Sequence, residues 1–401
     1  MRAQPTAISL KAVLLQVHSV VGLVLALLWA VVGITGATMA FEDEIQASLN
    51  AGIMHVDASA TRRLMPDELV ARVQAAGDFG KASAVTMASD PTAAVRIRFA
   101  RTEGGTRPSS VYVDPYSAHV LGSPRAEDFF ATVRKLHRWL LLPGDGNGWG
   151  RKITGPAAIC LIVMLMSGLV LRWPHRARSV KMWLKPNLGL RGRGLHRSLH
   201  AVIGTWVLPI YLVMTLTGLT YSFEWYKDGA KWLLERPVPT AATMPAKPPR
   251  GAAADTKTDA KTEAKPLGFD RVWATFLQQE GSRYGRVLLT LPASAGTVVR
   301  VRSWTQDSSL DTVRDEFRID AVTGRVISAD LYADKTFGER VLASILDIHR
   351  GAILGWPGKL AFMLAAALMP LFTVTGLLLY LSRRRHRRLA HPPVGRLVPG
   401  E

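Results

Sequence analysis

Residues 18–42, HSVVGLVLALLWAVVGITGATMAFE, return as residues 200–224, HAVIGTWVLPIYLVMTLTGLTYSFE. His18, Gly22, Thr35, Gly36, Phe41 and Glu42 fall on His200, Gly204, Thr217, Gly218, Phe223 and Glu224, at a constant spacing of 182 residues. Each copy is an uncharged stretch that carries one imidazole near its start and ends on a carboxylate. A bilayer core takes about 20 apolar residues of helix at about 1.5 Å rise each, so both copies are long enough to span. An ionisable side chain inside a membrane is costly and is by default a functional-site hypothesis. A matched pair on duplicated helices points two imidazoles at one object on the symmetry axis, and heme iron is the object that suits them best.

Outward from these copies, the 401-residue chain holds four uncharged runs, 12–41, 153–171, 201–223 and 360–381. The first is far longer than the apolar core of a signal peptide and has an internal copy, so it reads as a retained helix. Between the second and third runs lie Arg176, Arg178, Lys181, Lys185, Arg191, Arg193 and Arg197 without one carboxylate, and Arg383, Arg384, Arg385, Arg387 and Arg388 follow the fourth. Basic residues in short loops stay in the cytoplasm, so this loop and both termini are expected there. These clusters explain most of the net charge of +19. A basic face against anionic lipid is the expected reading, and nucleic acid is not an expected partner. The single cysteine, Cys160, sits within a membrane run, so no disulfide is expected outside. A CxxCH attachment site is also missing, so any heme must be held noncovalently, as in b-type cytochromes.

The expected layout is a cytoplasmic N-terminus and first span at 1–41, an exterior module at 42–131, and an outer histidine helix with the second span at 132–173. A basic loop at 174–193, the third span at 194–224, and a second exterior segment at 225–346 with a disordered linker at 241–265 come next. An outer histidine helix with the fourth span at 347–382 and a basic tail at 383–401 complete it. Val95-Arg-Ile-Arg98 resembles Val299-Arg-Val-Arg302, and the 113–120 segment resembles 319–326. Each reads as strands of alternating polarity joined by a turn at 114–118 or 320–324. Apolar residues at helical spacing predict a helix before each sheet, at 66–76 and 269–279. Both copies start from the same side, so the repeats are parallel, related by an axis along the membrane normal.

A second histidine repeat follows the modules. Leu136-His-Arg138 precedes the second span and Ile348-His-Arg350 the fourth, which makes His137 and His349 equivalent. His18 lies six residues into its run, roughly 9 Å from the inner edge at about 1.5 Å per residue, and His200 shares that depth. Gly22 and Gly204, one turn on, leave room for a porphyrin beside the backbone. His137 and His349 form the outer pair, with Arg138 and Arg350 placed to pair with heme propionates. Two b-type hemes, one on each side, would give electrons a path across the bilayer. The bland alternative is that a membrane histidine only hydrogen-bonds a neighbouring helix. Four positions in two symmetric pairs weigh against it. His196, one turn before His200, has Leu14 as its counterpart and reads either as a propionate partner or as the ligand in place of His200. Trp29 and Tyr211 read as packing, and His55, His119, His175, His386 and His391 as surface. The glycine-rich 144–150 stretch reads as a turn. No nucleotide or flavin motif is visible, so a quinol or a separate flavoprotein is the expected electron donor.

The Ser198-Leu-His-Ala-Val-Ile-Gly204 run with Leu216-Thr-Gly218, the two His-Arg segments and the paired Val-Asp or Ile-Asp hairpins resemble the PepSY-associated transmembrane family. The resemblance covers nearly the whole chain apart from linker and tail. It implies a four-transmembrane-helix bundle with pseudo-twofold internal duplication and two small α+β, PepSY-like periplasmic modules in the bacterial inner membrane. It further implies two b hemes held by His18, His137, His200 and His349, and reduction of a ferric siderophore or similar iron chelate in the periplasm. The basic residues Arg134, Lys135, Arg151 and Lys152 are placed either to attract an anionic chelate or to meet solvent and headgroups. Two rivals remain: a nonredox PepSY-type binding or protease-inhibitory protein anchored by the helices, and a transporter. The second is disfavoured by spans without internal acids or breaks.

Overall fold

The computed structural model describes residues 9–100, 109–173, 179–235, 268–281, 283–292, 296–308 and 310–390. The linker expected at 241–265 and two of the surface histidines, His175 and His391, lie outside them. In chain order the elements are α1 Leu10–Met39, α2 Glu42–Met54, α3 Pro66–Ala76, β1 Ala82–Ala88, β2 Val95–Phe99, β3 Ser110–Val113, β4 Val120–Gly122 and α4 Glu127–Trp139. There follow α5 Trp149–Arg172, α6 Val180–Leu184, α7 Gly192–Ser222, α8 Glu224–Leu234, α9 Phe269–Glu280 and β5 Tyr284–Thr290. The chain continues through β6 Val298–Thr305, β7 Asp315–Asp320, β8 Val326–Asp330, α10 Phe337–Ala343, α11 Ile345–His349, α12 Gly355–Ala367 and α13 Met369–Ala390. They divide into two compact units.

The first unit comprises the chain up to Glu44, Glu127–Ala230, and the chain from Ile345. Among the described residues, four helical segments here are long and apolar enough to cross a membrane, Leu10–Met39, Trp149–Arg172, Gly192–Ser222 and Ala352–His386. The protein is a multi-pass membrane protein. Helices α1 and α7 each pack against both α5 and the α12–α13 segment, so the two histidine-bearing copies stand at opposite corners of the bundle. Their outward apolar side chains, Val24 at 73% and Leu27 at 74% exposure among them, are covered by lipid tails rather than protein.

The fourth span differs from its expected continuous form, because it is interrupted at Leu368, between α12 and α13. Pro370 is the cause, having no N–H to give the preceding turn and a ring that clashes with it. The absence of broken spans is therefore no argument against transport. The Tyr211 hydroxyl donates to the Ala365 carbonyl at 2.7 Å beside the break, a second partner besides the Leu368 N–H at 3.1 Å. Gly33 of α1 packs there as well, where a Cβ would stand 2.5 Å from Met369 Cβ and 2.7 Å from the Ala366 oxygen.

The second unit comprises Ile45–Ala126 and Lys231–Ser344. The helices expected at 66–76 and 269–279 are α3 and α9, and the hairpin turns stand where Asp114 and Asp320 place them. Asp114 accepts from the Tyr116 N–H at 2.7 Å, and Asp320 from Val322 and Thr323 at 2.9 and 2.8 Å. The sheet itself departs from the expectation of two modules. All the strands form one antiparallel sheet in the order β4-β3-β2-β1-β5-β6-β7-β8, joined where β1 pairs with β5, Ala84 opposite Thr290 through Ala88 opposite Arg286. Each half would otherwise expose a strand edge, and pairing the two edges satisfies both. Along β2, Val95, Ile97 and Phe99 turn inward while Arg96 and Arg98 take the other face, as a period of two requires. Those inward residues, their counterparts on β6 and β7, and the apolar stripes of α3 and α9 make one core.

The start of each helix is held by the other. Asp67 accepts from the Phe269 and Asp270 N–H groups at 3.1 Å each, and Asp270 accepts from the Asp67 N–H at 2.9 Å. Burial and the facing Asp270 raise the Asp67 pKa against the pull of these N–H groups. Asp67→Ala is expected to destabilise this unit by about 1 kcal/mol, the typical worth of a helix cap. Thermal unfolding of the purified protein followed in detergent measures it, and an unshifted transition would refute the capping role.

Candidate functional site

The structure brings the four repeat histidines together in two pairs. His18 on α1 and His200 on α7 face each other with ring centroids 6.4 Å apart and an interplanar angle of 73°. His137 on α4 and His349 on α11 do the same at 6.5 Å and 74°. A metal–imidazole bond is about 2.0 Å long and each nitrogen lies about 1.2 Å from its ring centre, so two rings gripping one iron have centres about 6.4 Å apart. Both pairs have the separation of a bis-imidazole iron site.

Every ring is steadied through Nδ1 by a hydroxyl on a neighbouring helix. His18 meets Ser167 of α5 at 2.9 Å and His200 meets Thr375 of α13 at 2.8 Å. His137 meets Thr35 of α1 at 3.1 Å and His349 meets Thr217 of α7 at 2.9 Å. Repeat symmetry is kept throughout, since α1 leans on α5 as α7 leans on α13, and α4 leans on α1 as α11 leans on α7. In the outer pair, burial and then the neighbouring His137 lower the His349 pKa to about 4, and burial likewise lowers that of His137. Both rings are thus neutral at neutral pH, the form in which imidazole binds a metal.

A cavity of about 950 Å³ surrounds the inner pair. That is at the upper end of the range for small-molecule and cofactor sites. Gly22 and Gly204 line it as well, but the space beside them is taken by protein, since a Cβ at Gly22 would stand 2.8 Å from Met164 Cε and one at Gly204 would stand 3.5 Å from Phe372 Cε1. Trp29 and Tyr211 close its deep end and are almost fully buried, bonded to helix carbonyls, so the packing role expected of them is what they perform. Lys11, Arg193, Arg197 and Arg383 line it where the spans begin or end, and such cations suit the two carboxylates of a heme. A cavity of this size, with two imidazoles and several cations in its lining, has room and partners for a porphyrin with its carboxylates. His196 is not among the residues lining this cavity, and His200 is the histidine that faces His18.

The arginines beside the outer pair have partners of their own. Arg350 donates to Asp43 at 2.9 Å, while the Arg138 guanidinium lies 4.7 Å above the Trp139 ring and 5.8 Å from that of Tyr221. Arg134 pairs with Glu42 and Arg151 with Glu224, the carboxylates that end the two repeat copies. Lys152 lies 4.8 Å from the Trp149 ring centre, and Lys135 is exposed. Of Arg134, Lys135, Arg151 and Lys152, Lys135 is the one that makes no ion pair or ring contact among the described residues. The glycine-rich stretch at 144–150 is a turn of 3-10 helix, Asp145–Asn147, leading into α5.

Ser167 and Thr375 escaped the sequence reading. The signal was present, since Ser167-Gly168 and Thr375-Gly376 echo Thr35-Gly36 and Thr217-Gly218, which places one such dipeptide in every span. Residues 15–383 match the family described as PepSY-associated TM region. No curated protein matches the chain.

Proposed function

The chain belongs to the PepSY-associated TM family, and from that premise we propose that it is a di-heme b-type cytochrome of the bacterial inner membrane that reduces a ferric siderophore or similar chelate in the periplasm. The observation that carries the reading is the pair of imidazole pairs at 6.4 and 6.5 Å. His18 and His200 are the ligands of the inner site, His137 and His349 those of the outer one. Thr35 follows His18 by 17 residues, as Thr217 follows His200, so the two levels lie about 26 Å apart at about 1.5 Å per residue, most of a bilayer core. Heme, when bound, supplies one-electron Fe(III)/Fe(II) chemistry at each level.

The residues of the chain do the rest. His18 with His200, and His137 with His349, would hold an iron porphyrin between them, which would keep substrate off the metal and leave each site to electron transfer. Apolar side chains around Trp29 and Tyr211 exclude water between the levels. The basic loop and tail set the inner pair on the cytoplasmic side by the charge rule. A quinol or a flavoprotein supplies the electrons. A quinol gives up two electrons and two protons to become quinone, and two chelated Fe(III) ions become Fe(II). Loss of charge and hardness weakens the iron's hold on oxygen donors, so the metal is released with the chelator intact.

Purified protein is expected to show a Soret band and an α band that sharpen on reduction, and to lose its reduced spectrum when a ferric chelate is added. A colourless preparation that stays colourless with added hemin would overturn the reading in favour of a nonredox anchored module.

A further inference from the structure

We infer that the four Ser/Thr–Gly dipeptides, one in each span, are the positioning elements of both iron sites. The hydroxyl locks each histidine in its Nδ1–H tautomer, and in the first half of the repeat the adjoining glycine also lets the ring edge lie against the helix. This rests on the heme reading above and extends it to residues that touch no iron.

The tautomer follows from where the hydroxyl protons go. A hydroxyl has one proton to donate. Thr35 gives its proton to the Val31 carbonyl at 2.7 Å, Thr217 to Val213 at 2.6 Å, Thr375 to Leu371 at 2.7 Å and Ser167 to Met164 at 3.2 Å. With that proton spent within its own helix, each oxygen can only accept from the imidazole, so Nδ1 carries the hydrogen. His137 bears this out independently, because its Nδ1 also lies 3.0 Å from the Val32 carbonyl, an atom that cannot donate. In all four rings Nε2 is left as the nitrogen with a free lone pair, which is what a metal takes. A hydrogen bond to the far nitrogen also fixes ring orientation and makes the ligand more basic.

The adjoining glycines set the distance. A Cβ at Gly168 would stand 3.2 Å from His18 Cε1 and one at Gly36 would stand 3.2 Å from His137 Cε1. At Gly376 and Gly218 the corresponding distances to His200 and His349 are 3.6 Å. The first two are too tight for a methyl without moving the ring, whereas the last two are ordinary contacts. The first half of the repeat therefore depends on its glycines, and the second half depends on its hydroxyls alone.

The test compares wild type, Thr375→Val and Thr375→Ser by hemin titration, low-spin EPR and redox titration. Thr375→Val is expected to bind the inner heme about 10- to 100-fold more weakly, the usual cost of losing such a partner. One of the two EPR signals should shift and its midpoint potential rise, because a less basic imidazole stabilises Fe(III) less. Thr375→Ser should restore all three. Gly168→Ala should shift the same signal while Gly376→Ala leaves it in place, a comparison that stands even if Thr375→Val fails to fold. Wild-type affinity and spectrum in Thr375→Val, a serine variant as impaired as the valine, or equal behaviour of the two alanine variants would overturn the inference while the heme reading stands. A wild-type protein that takes up no hemin would overturn both.

Discussion

His200→Ala is expected to halve the heme content of the purified protein, with the inner site lost and the outer one kept. On the di-heme reading, a porphyrin meant for two imidazoles would be left with one, and the cavity left behind would admit water. His18→Ala should give the same loss, and the double variant no further loss, because residues that act on one metal as a unit are not additive. His137→Ala and His349→Ala should each remove the other heme by the same argument. His196→Ala is the control. Its side chain does not line the cavity around the inner pair, so both hemes should remain. The measurement is a heme-to-protein ratio by pyridine hemochrome on all five single variants, and unchanged heme in the four paired positions would refute the assignment.

Phe276→Ala is expected to cost the sheet unit about 3–5 kcal/mol, the range for removing a buried aromatic ring. Phe276 is fully buried on α9, with ring centroids of Trp273, Tyr284 and Phe317 at 5.6, 5.7 and 5.9 Å. The location of the damage matters as much as its size. If the two halves of the sheet form one cooperative core through the β1–β5 pairing, the loss spreads to the N-terminal strands. Hydrogen exchange should then quicken in β1, β2 and β3 as well as in β5 to β7. Loss of protection confined to the C-terminal half would show that the halves open separately. Heme content should change little, since the ligand pairs belong to the helical unit.

Much of the site was legible because it was written twice. His18 and His200, Thr35 and Thr217, and Gly36 and Gly218 share one offset of 182 residues, and both copies are apolar enough to be recognised as spans. Beyond the copies the offset changes, because the second half carries a longer segment between its third and fourth spans. His137 and His349, 212 residues apart, are still matched by their Leu-His-Arg and Ile-His-Arg surroundings, whereas Ser167 and Thr375, 208 apart, have only a two-residue echo. Repeat partners beyond that insertion fall out of step, so a comparison at one spacing passes over the hydroxyls that hold His18 and His200. The break at Leu368 was equally visible as Pro370, but proline in a long apolar run reads as a kink or a tolerated residue until the neighbouring backbone is in place.

Local order belongs to the sequence alone. The spans, the helices at Pro66–Ala76 and Phe269–Glu280, and the hairpins closed by Asp114 and Asp320 are set by periodicity, turn chemistry and caps within a few residues of each other. Tertiary structure decided which long-range partners meet. It chose β5 as the neighbour of β1, Ser167 as the partner of His18 across 149 residues, and Thr375 as the partner of His200 across 175. Such choices leave no periodic trace, because an edge strand or a buried imidazole demands only some partner of the right kind, and the packing of whole helices and sheets determines which one arrives.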